Sequence, residues 1–548
     1  MEGLVQCEAN YAPLTPMSFL ERAAFVYGNE VSLVYGNIRY SWAETRRRCL
    51  RLASALSHVG ITMGDVVAAM APNIPALYEL HFAVPMAGAV LSAFNTSLDT
   101  TTLATLLQRL EPKIIFVDYQ FVKHVLNALE LLSLSKAHPP PIVVIPDGGT
   151  TSLSHNDQLP PRSLDYNSLL AIGRDDFEIL RPTNECLPIS VNFTSGSTGN
   201  PKAAVYSHRA AYLNSLAWIF RIGMRRKPVF LWTVDMFRCN GWCLPWVVAA
   251  LGGTNICIRA TTEVILETIS LHKVTHLCGA PAILSTIANA SSSNHQPLPA
   301  TVEIIVAGAL PPFQTLKRVK ELGFNVSHAY GMTEALGPII VGSYDSNHDA
   351  VKCREGIHNI MVEAVDVKDP TTMVSTPADG ETIGEIMFRS NTIMSGYLKN
   401  LESTQQAFRN GWYRTGDIGI RHPNGYIEMK DRVVDRIVGC GGEIISTLEV
   451  EKTLASHPAV AAAAVVGREV DGGGGSGETV CAFVRLKEGW SASVEEIVRL
   501  CGERLPEYMV PSDVVFGEFP VSSTGKVQKF VLREKARAMR KLSGSNGY

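Results

Sequence analysis

Short apolar runs alternate along this chain with segments in which apolar residues recur every three to four positions. Residues 66–70, 90–94 and 113–117 are apolar enough to read as buried strands, with a helix over 74–87 between the first two. Leu50, Leu52, Ala55 and Leu56 give residues 45–58 helical spacing, and residues 33–35 and 38–40 flank a Gly36-Asn37 turn as a hairpin. Further strands are predicted at 229–233, 254–258, 276–278 and 304–306, and Ser207-His208-Arg209 opens a long helix. Strands alternating with helices predict crossover units, hence an α/β fold with mostly parallel sheets buried on both faces. Residues 135–165, rich in Pro, Ser, Asp and Gly, read as a surface connection. Beyond residue 380 the strand-like segments 384–386 and 427–429 carry more charge. A block with its own helices (447–457 and 494–504) follows Asp431-Arg432. We place a boundary at 431–435, giving a large N-terminal domain (1–433) and a small C-terminal α+β domain (434–548). The glycine-rich segment 471–477 reads as a flexible surface loop without a catalytic role. No internal repeat is detectable.

Composition narrows the class of protein. A chain of 548 residues exceeds one ordinary core, and 46% hydrophobic with 18% charged residues is a globular balance. The net charge of −3 provides no basic field for nucleic acid. The eleven cysteines lack paired spacing; Cys239 and Cys243 have no second pair to complete a zinc site, which points to reduced thiols in an intracellular compartment. The first sixteen residues carry Glu2 and Glu8 and no apolar stretch of leader length. The apolar run 84–94 contains Pro85 and Gly88 and is too short to span a bilayer. The closing Ser545-Asn546-Gly547-Tyr548 is not a Ser-Lys-Leu peroxisomal address. The expected compartment is the cytosol.

One stretch concentrates chemistry. A strand-like run (Leu187, Ile189, Val191, Phe193) leads into Thr194-Ser195-Gly196-Ser197-Thr198-Gly199-Asn200-Pro201-Lys202. Small residues let backbone N–H groups turn towards an anion, hydroxyls add donors, and Lys202 adds a point charge, as a phosphate cradle requires. It is not a Walker A loop, because no Gly-Lys-Ser/Thr follows. Two further strands end in Val306-Ala307-Gly308-Ala309 and in His328-Ala329-Tyr330-Gly331-Met332-Thr333-Glu334. Ligands of parallel sheets collect at such carboxyl ends.

The order Thr-Ser-Gly-Ser-Thr-Gly-x-Pro-Lys resembles the AMP-binding, adenylate-forming superfamily, which includes acyl-CoA synthetases, coumarate-CoA ligases, luciferases and peptide-synthetase adenylation domains. Tyr330-Gly331-Met332-Thr333-Glu334, Tyr413-Arg414-Thr415-Gly416-Asp417, Gly441-Gly442-Glu443 and Pro520-Val521-Ser522-Ser523-Thr524-Gly525-Lys526 resemble its later segments, in its order. The Met236-Phe237-x-x-Asn240-Gly241-Trp242 segment and His328 are similar to plant relatives acting on short, branched or aromatic acids, some of them peroxisomal, which makes the peroxisome a second choice. The resemblance implies an ATP-dependent acid–CoA ligase with a mobile C-terminal domain. Its cofactors and co-substrates are ATP, Mg²⁺ and coenzyme A, and its partners are small molecules only. It implies that Thr194, Ser195, Gly196, Ser197, Thr198, Gly199 and Lys202 hold phosphate, with Gly308, Ala309, His328, Ala329, Tyr330, Gly331 and Thr333 around the nucleotide. Glu334, helped by Thr198, holds the metal. Asp417 and Arg432 grip the ribose, and Gly441 and Gly442 line the thioester site. Lys202, Glu334 and Lys526 form the expected catalytic set, with Lys526 bridging carboxylate and α-phosphate. Within this fold, adenylation towards a non-CoA acceptor or a weakly active ligand-binding relative are the other readings. Four departures stand out: Val434 replaces the hinge Lys or Asp, one extra residue sits before Gly441-Gly442-Glu443, Asp235 and Arg238 replace Pro and His around Met236-Phe237, and Ala203 replaces a Gly.

Overall fold

A computed structural model of the protein describes residues 3–133, 139–147, 163–194, 201–224, 227–259, 264–279, 281–289, 298, 300–307, 313–343, 355–432, 434–439, 443–469, 477–521 and 527–543. Two large sheets carry the N-terminal part. In the first, strands Pro188–Phe193, Val90–Ala93, Val66–Met70, Ile114–Asp118, Ile142–Ile145 and Ser163–Asp165 run parallel, and Ala203–Ser207 and Gly396–Tyr397 extend the sheet antiparallel beyond Pro188–Phe193. In the second, Val31–Tyr35, Thr254–Ile256, Val229–Leu231, His276–Gly279, Val302–Ala307 and Phe324–Met332 are parallel neighbours in that order.

Period-two side-chain alternation explains how both sheets are buried on both faces. Val67, Ala69, Ile114 and Phe116 of the first sheet share one core with Leu33, Phe230, Trp232 and Ile305 of the second. Their chain neighbours Ala68, Met70, Ile115 and Val117 pack in a separate core on the far side, and Val34, Leu231, Ile304 and Val306 in another. The helix Pro75–Met86 is buried along its whole length in the shared core. Its one carboxylate, Glu79, is buried with it and is paired to Arg48 Nε at 2.5 Å. The helix Trp42–His58 starts where predicted to within a turn, because Ser41 and Glu44 form a reciprocal capping box.

Two readings of the sequence are corrected, the connection 135–165 and the ends of two strands. The supposed connection 135–165 contains Ile142–Ile145, a fully buried parallel strand. Four consecutive β-branched apolar residues outweigh the turn-rich composition around them; residues 134–138 and 148–162, and the loop 470–476, lie outside the described residues. The expected parallel core is present in both sheets, and the second adds an antiparallel extension beyond Phe324–Met332 through Gly337–Ser343, Glu355–His358, Ile427–Arg432, Tyr413–Arg421, Gly384–Ser390 and Val362–Lys368. Tight connections, such as those from Met332 to Gly337 and from Arg421 to Ile427, reverse the chain and make those neighbours antiparallel. The strands expected at 229–233 and 254–258 end early, at Leu231 and Ile256.

From Ile437 onwards the chain packs a core of its own, in which Val450, Leu454, Val465, Val484, Ile497 and Met509 meet. Helices Thr447–Ala455 and Val494–Arg504 lie against strands Val460–Glu469, Glu478–Leu486 and Asp513–Phe516. Among the described residues no helix is long and apolar enough to cross a membrane.

Burial lowers three imidazoles, His81, His208 and His276, from 6.5 to about 4. They are neutral in the fold but take up protons near pH 6.5 once unfolded. Their contribution is present above that pH and is lost as pH falls from 6.5 towards 4, each at about 1.4 kcal/mol per pH unit. The expected result is a denaturation midpoint that drops steeply between pH 6.5 and pH 5. A midpoint that stays level over that interval would show that these rings do not govern acid stability.

Candidate active site

The loop predicted to hold phosphate leaves strand Pro188–Phe193 and returns as strand Ala203–Ser207, with Phe193 opposite Ala203. Its mouth is closed twice: the Thr194 N–H donates to the Lys202 carbonyl at 2.8 Å, and the Lys202 N–H donates to Thr194 Oγ1 at 3.0 Å. Ser195, Gly196, Ser197, Thr198 and Gly199 lie outside the described residues, as do Gly308 and Ala309. Lys202 extends its ammonium to 5.0 Å from the centre of the Tyr397 ring, and Arg109 donates to the Pro201 carbonyl beside it.

Glu334 lies in a single turn, Thr333–Ala335, that follows strand Phe324–Met332 and stops at Leu336 in a left-handed conformation. The Glu334 carbonyl accepts from the Met394 N–H at 2.8 Å, and Tyr206 donates its hydroxyl to the Thr333 carbonyl at 2.5 Å. The carboxylate accepts from the Tyr397 hydroxyl at 2.7 Å. Burial, with the Glu334 charge added, raises the Tyr397 hydroxyl above its ordinary range, so it stays a donor at neutral pH. Tyr397 thus touches both the loop lysine and the candidate metal carboxylate. Sequence reasoning missed it; a Gly-Tyr pair on a short strand has no signature of its own. Among the described residues no group of three His, Cys, Asp or Glu gathers. A lone carboxylate suits a hard divalent cation whose other ligands are phosphate oxygens and water.

Tyr397→Phe removes the hydroxyl and keeps the ring under Lys202. The expected outcome is a rise in the Mg²⁺ concentration for half-maximal activity of about tenfold, the scale of one hydrogen bond to a charged group, with ATP affinity in the absence of metal unchanged. Unaltered Mg²⁺ dependence would detach Tyr397 from the carboxylate's task.

Asp417 and Arg432 face each other across two antiparallel strands, Tyr413–Arg421 and Ile427–Arg432. Asp417 is 2% exposed, accepts from Tyr330 Oη at 2.7 Å and forms an ion pair with Arg432, Oδ1 to Nε at 3.1 Å. An ionised carboxylate accepts hydrogen bonds and donates none, which suits it to hydroxyl donors. Burial acts to lower Arg432, but the charges of Asp417 and Asp435 outweigh it and raise it; burial and the Asp417 charge push the Tyr330 hydroxyl up. His328 and Ala329 lie on the Tyr330 strand beside Val306 and Ala307. A side chain at Gly331 would meet the Gly337 carbonyl at 2.3 Å, at a bulge in the pairing with Gly337–Ser343. The structure therefore gathers Thr194, Lys202, Tyr330, Thr333, Glu334, Asp417 and Arg432 along strand ends of the two sheets and their antiparallel extension.

In the C-terminal part, Lys526, Gly441 and Gly442 lie outside the described residues. Their surroundings are defined: Val521 and Val527 bridge antiparallel on either side of the Lys526 segment, and strands Ile437–Val438 and Ile444–Ile445 pair on either side of the glycines. Helix Lys529–Ser543 follows Lys526 at once. Lys529 reaches Glu451 at 2.8 Å and Thr447 Oγ1 at 2.6 Å; Arg533 donates to the Val434 carbonyl at 2.6 Å and pairs with Asp435. Asp431, buried, accepts from the Thr447 N–H at 2.5 Å and its hydroxyl at 2.9 Å. The Val434 side chain is 52% exposed, so valine there packs against little.

The departures Asp235 and Arg238 form one ion pair, Nε to Oδ2 at 2.8 Å, so two charges set near Met236 and Phe237 neutralise each other. Ala203 is buried in the strand that leaves the phosphate loop.

The AMP-binding enzyme family matches residues 20–398, and the AMP-binding enzyme C-terminal domain matches 449–526. The chain is 46% identical to the probable acyl-activating enzyme 21 of Arabidopsis thaliana, over 98% of both chains. It is 44% identical to the 2-methylpropanoate–CoA ligase CCL4 of Humulus lupulus, again over 98% of both. With the peroxisomal butyrate–CoA ligase AAE11 of Arabidopsis thaliana it shares 43% identity, over 98% of this chain and 96% of that one. Its fold superposes on the anthranilate CoA ligase AuaEII in complex with anthranoyl-AMP with a TM-score of 0.83 at 23% identity, covering 98% of this chain and all of that one. The O-succinylbenzoate coenzyme A synthetase of Bacillus subtilis, solved with ATP and magnesium ion, gives a TM-score of 0.79 at 23% identity, over 94% of this chain and 98% of that one.

Proposed function

The chain belongs to the AMP-binding enzyme family, and from that premise we propose that it is an ATP-dependent acid–CoA ligase for short or medium, branched or aromatic carboxylic acids. The observation that carries this reading is identity above 40% along nearly the whole chain to ligases named for 2-methylpropanoate and butyrate. A carboxylate cannot be joined to a thiol directly, because hydroxide is a poor leaving group. The acid oxygen attacks the α-phosphate of ATP, pyrophosphate leaves, and the thiol of coenzyme A then displaces AMP from the acyl carbon. Charge that develops on phosphate and carboxylate oxygens must be met by groups already in place.

The residues divide that work. Thr194 to Gly199 and Lys202 hold phosphate, and Gly308, Ala309, His328, Ala329, Tyr330, Gly331 and Thr333 bound the nucleotide. Asp417 accepts from the ribose hydroxyls and Arg432 fixes its orientation. Glu334 and Thr198 supply protein ligands to Mg²⁺, which neutralises phosphate charge when bound; the Tyr397 hydroxyl orients that carboxylate. Lys526, on the small domain, meets the carboxylate and α-phosphate, and the Gly441-Gly442 segment lines the path of coenzyme A after rotation about a hinge at 431–435. That rotation divides the chain into domains 1–433 and 434–548. The cytosol is our placement; the peroxisomal name of the butyrate ligase keeps the peroxisome as the other.

The test is product analysis with a panel of aliphatic, branched and aromatic acids. AMP and acyl-CoA formed in equal amounts, only when ATP, Mg²⁺, acid and coenzyme A are all present, is the expected result. Adenylate that accumulates and is never passed to coenzyme A would replace the ligase reading with another acceptor.

A further inference from the structure

Five consecutive residues, Cys239, Asn240, Gly241, Trp242 and Cys243, have left-handed backbone, with φ of 45°, 48°, 55°, 55° and 63°. Residues with a Cβ avoid a run of this kind, and it persists only where its surroundings demand it. Here it carries Asn240 into the interior, where the residue is 1% exposed. The Asn240 N–H donates to Asn192 Oδ1 at 3.3 Å, and Asn192 Nδ2 donates back to Asn240 Oδ1. That reciprocal pair fixes both amides. With Oδ1 of Asn192 occupied by a backbone N–H, its NH₂ must face Asn240, and the atom facing it is the Asn240 oxygen. Asn240 Nδ2 is left without an acceptor among the described residues.

A buried amide donor with no acceptor is costly, and native structures carry few. The left-handed backbone does not account for it, since glycine would adopt the same φ without burying an amide. Location does. Asn192 stands two residues before Thr194 on the strand that enters the phosphate loop. On the other side, the Cys239 thiol meets the hydroxyls of Thr333 and Tyr206 within the field of Glu334. The turn is therefore wedged between the strand that enters the phosphate loop and the turn that bears the candidate metal carboxylate.

We propose that Asn240 is a ligand-contact residue whose spare Nδ2–H is kept for an anionic oxygen, either of the nucleotide's phosphate chain or of the acid's carboxylate. The proposal rests on the ligase reading given above. Asn192, which holds the Asn240 amide in that orientation, is a positioning residue.

Two substitutions test it in the full chain. Asn240→Gly keeps a left-handed backbone and removes the donor; Asn240→Asp keeps the acceptor for Asn192 and turns a carboxylate on the ligand oxygen. Affinity for the non-hydrolysable β,γ-methylene analogue of ATP with Mg²⁺ is measured by calorimetry. The KM is measured for the panel acid that the unsubstituted chain uses best. A loss of tenfold or more in analogue affinity, larger for Asp than for Gly, assigns the donor to phosphate. Unchanged analogue affinity with a tenfold or greater rise in acid KM assigns it to the carboxylate. Neither quantity moving, with or without a lower melting temperature, overturns the proposal and makes Asn240 a packing residue. Failure of the unsubstituted chain to use any acid would instead count against the ligase reading, and this inference falls with it.

Discussion

Alanine in place of Lys526 abolishes acyl-adenylate formation and spares thioester formation from acyl-adenylate supplied ready-made. Only the first half-reaction builds charge simultaneously on the acid oxygen and the α-phosphate, and a compact ammonium on a flexible stem can follow both as they approach. The proposed rotation of the small domain would carry the lysine away before the second half-reaction. The flanking structure suits a group that must be delivered on a held arm. Val521 and Val527 bridge across the base of its segment, and the next helix is anchored through Lys529 to Glu451 and through Arg533 to Asp435. Removing the ammonium leaves those anchors in place, so the expected deficit is in chemistry rather than folding. Rates of the two half-reactions in single-turnover experiments decide it. Equal loss in both would deny Lys526 its separate part.

Glu334→Gln slows adenylation by a factor on the order of a hundred to a thousand, about 3–4 kcal/mol of lost charge stabilisation, and raises the Mg²⁺ requirement. Glutamine preserves the shape and can still accept from the Tyr397 hydroxyl, so the local packing survives while the negative charge does not. Among the described residues no group of three His, Cys, Asp or Glu forms that could hold the metal in its place. Adenylation measured across Mg²⁺ concentrations separates this from a fold defect, since excess Mg²⁺ should recover part of the rate. Near-normal rates at limiting Mg²⁺ would remove Glu334 from the metal site.

What could be read from the chain in advance was local. A strand, a small-residue loop and a lysine are contiguous, so the Thr194–Lys202 stretch is visible as a unit, and short continuous apolar runs mark most parallel strands. What could not be read depends on distant pairing. Tyr397 meets Glu334 only because Gly396–Tyr397 pairs with the strand leaving the phosphate loop, and nothing local in Ser395-Gly396-Tyr397 announces that. Asp235 and Arg238 looked like two separate departures until their 2.8 Å contact made them one neutral unit. The strand Ile142–Ile145 was hidden by turn-forming residues on both sides, and the antiparallel extension of the second sheet by the absence of any motif for strand direction. The left-handed turn at Cys239–Cys243 had a trace, Asn240-Gly241, since asparagine and glycine tolerate positive φ, but its length had none.

The central claim is that the acid is activated as an adenylate before coenzyme A takes part. The most direct measurement is exchange of labelled pyrophosphate into ATP, with a carboxylic acid and Mg²⁺ present and coenzyme A left out. The account predicts exchange that depends on the acid, disappears in Lys526→Ala and falls in Glu334→Gln. Thioester formation by the unsubstituted chain without any acid-dependent exchange, at any pyrophosphate concentration, would contradict it.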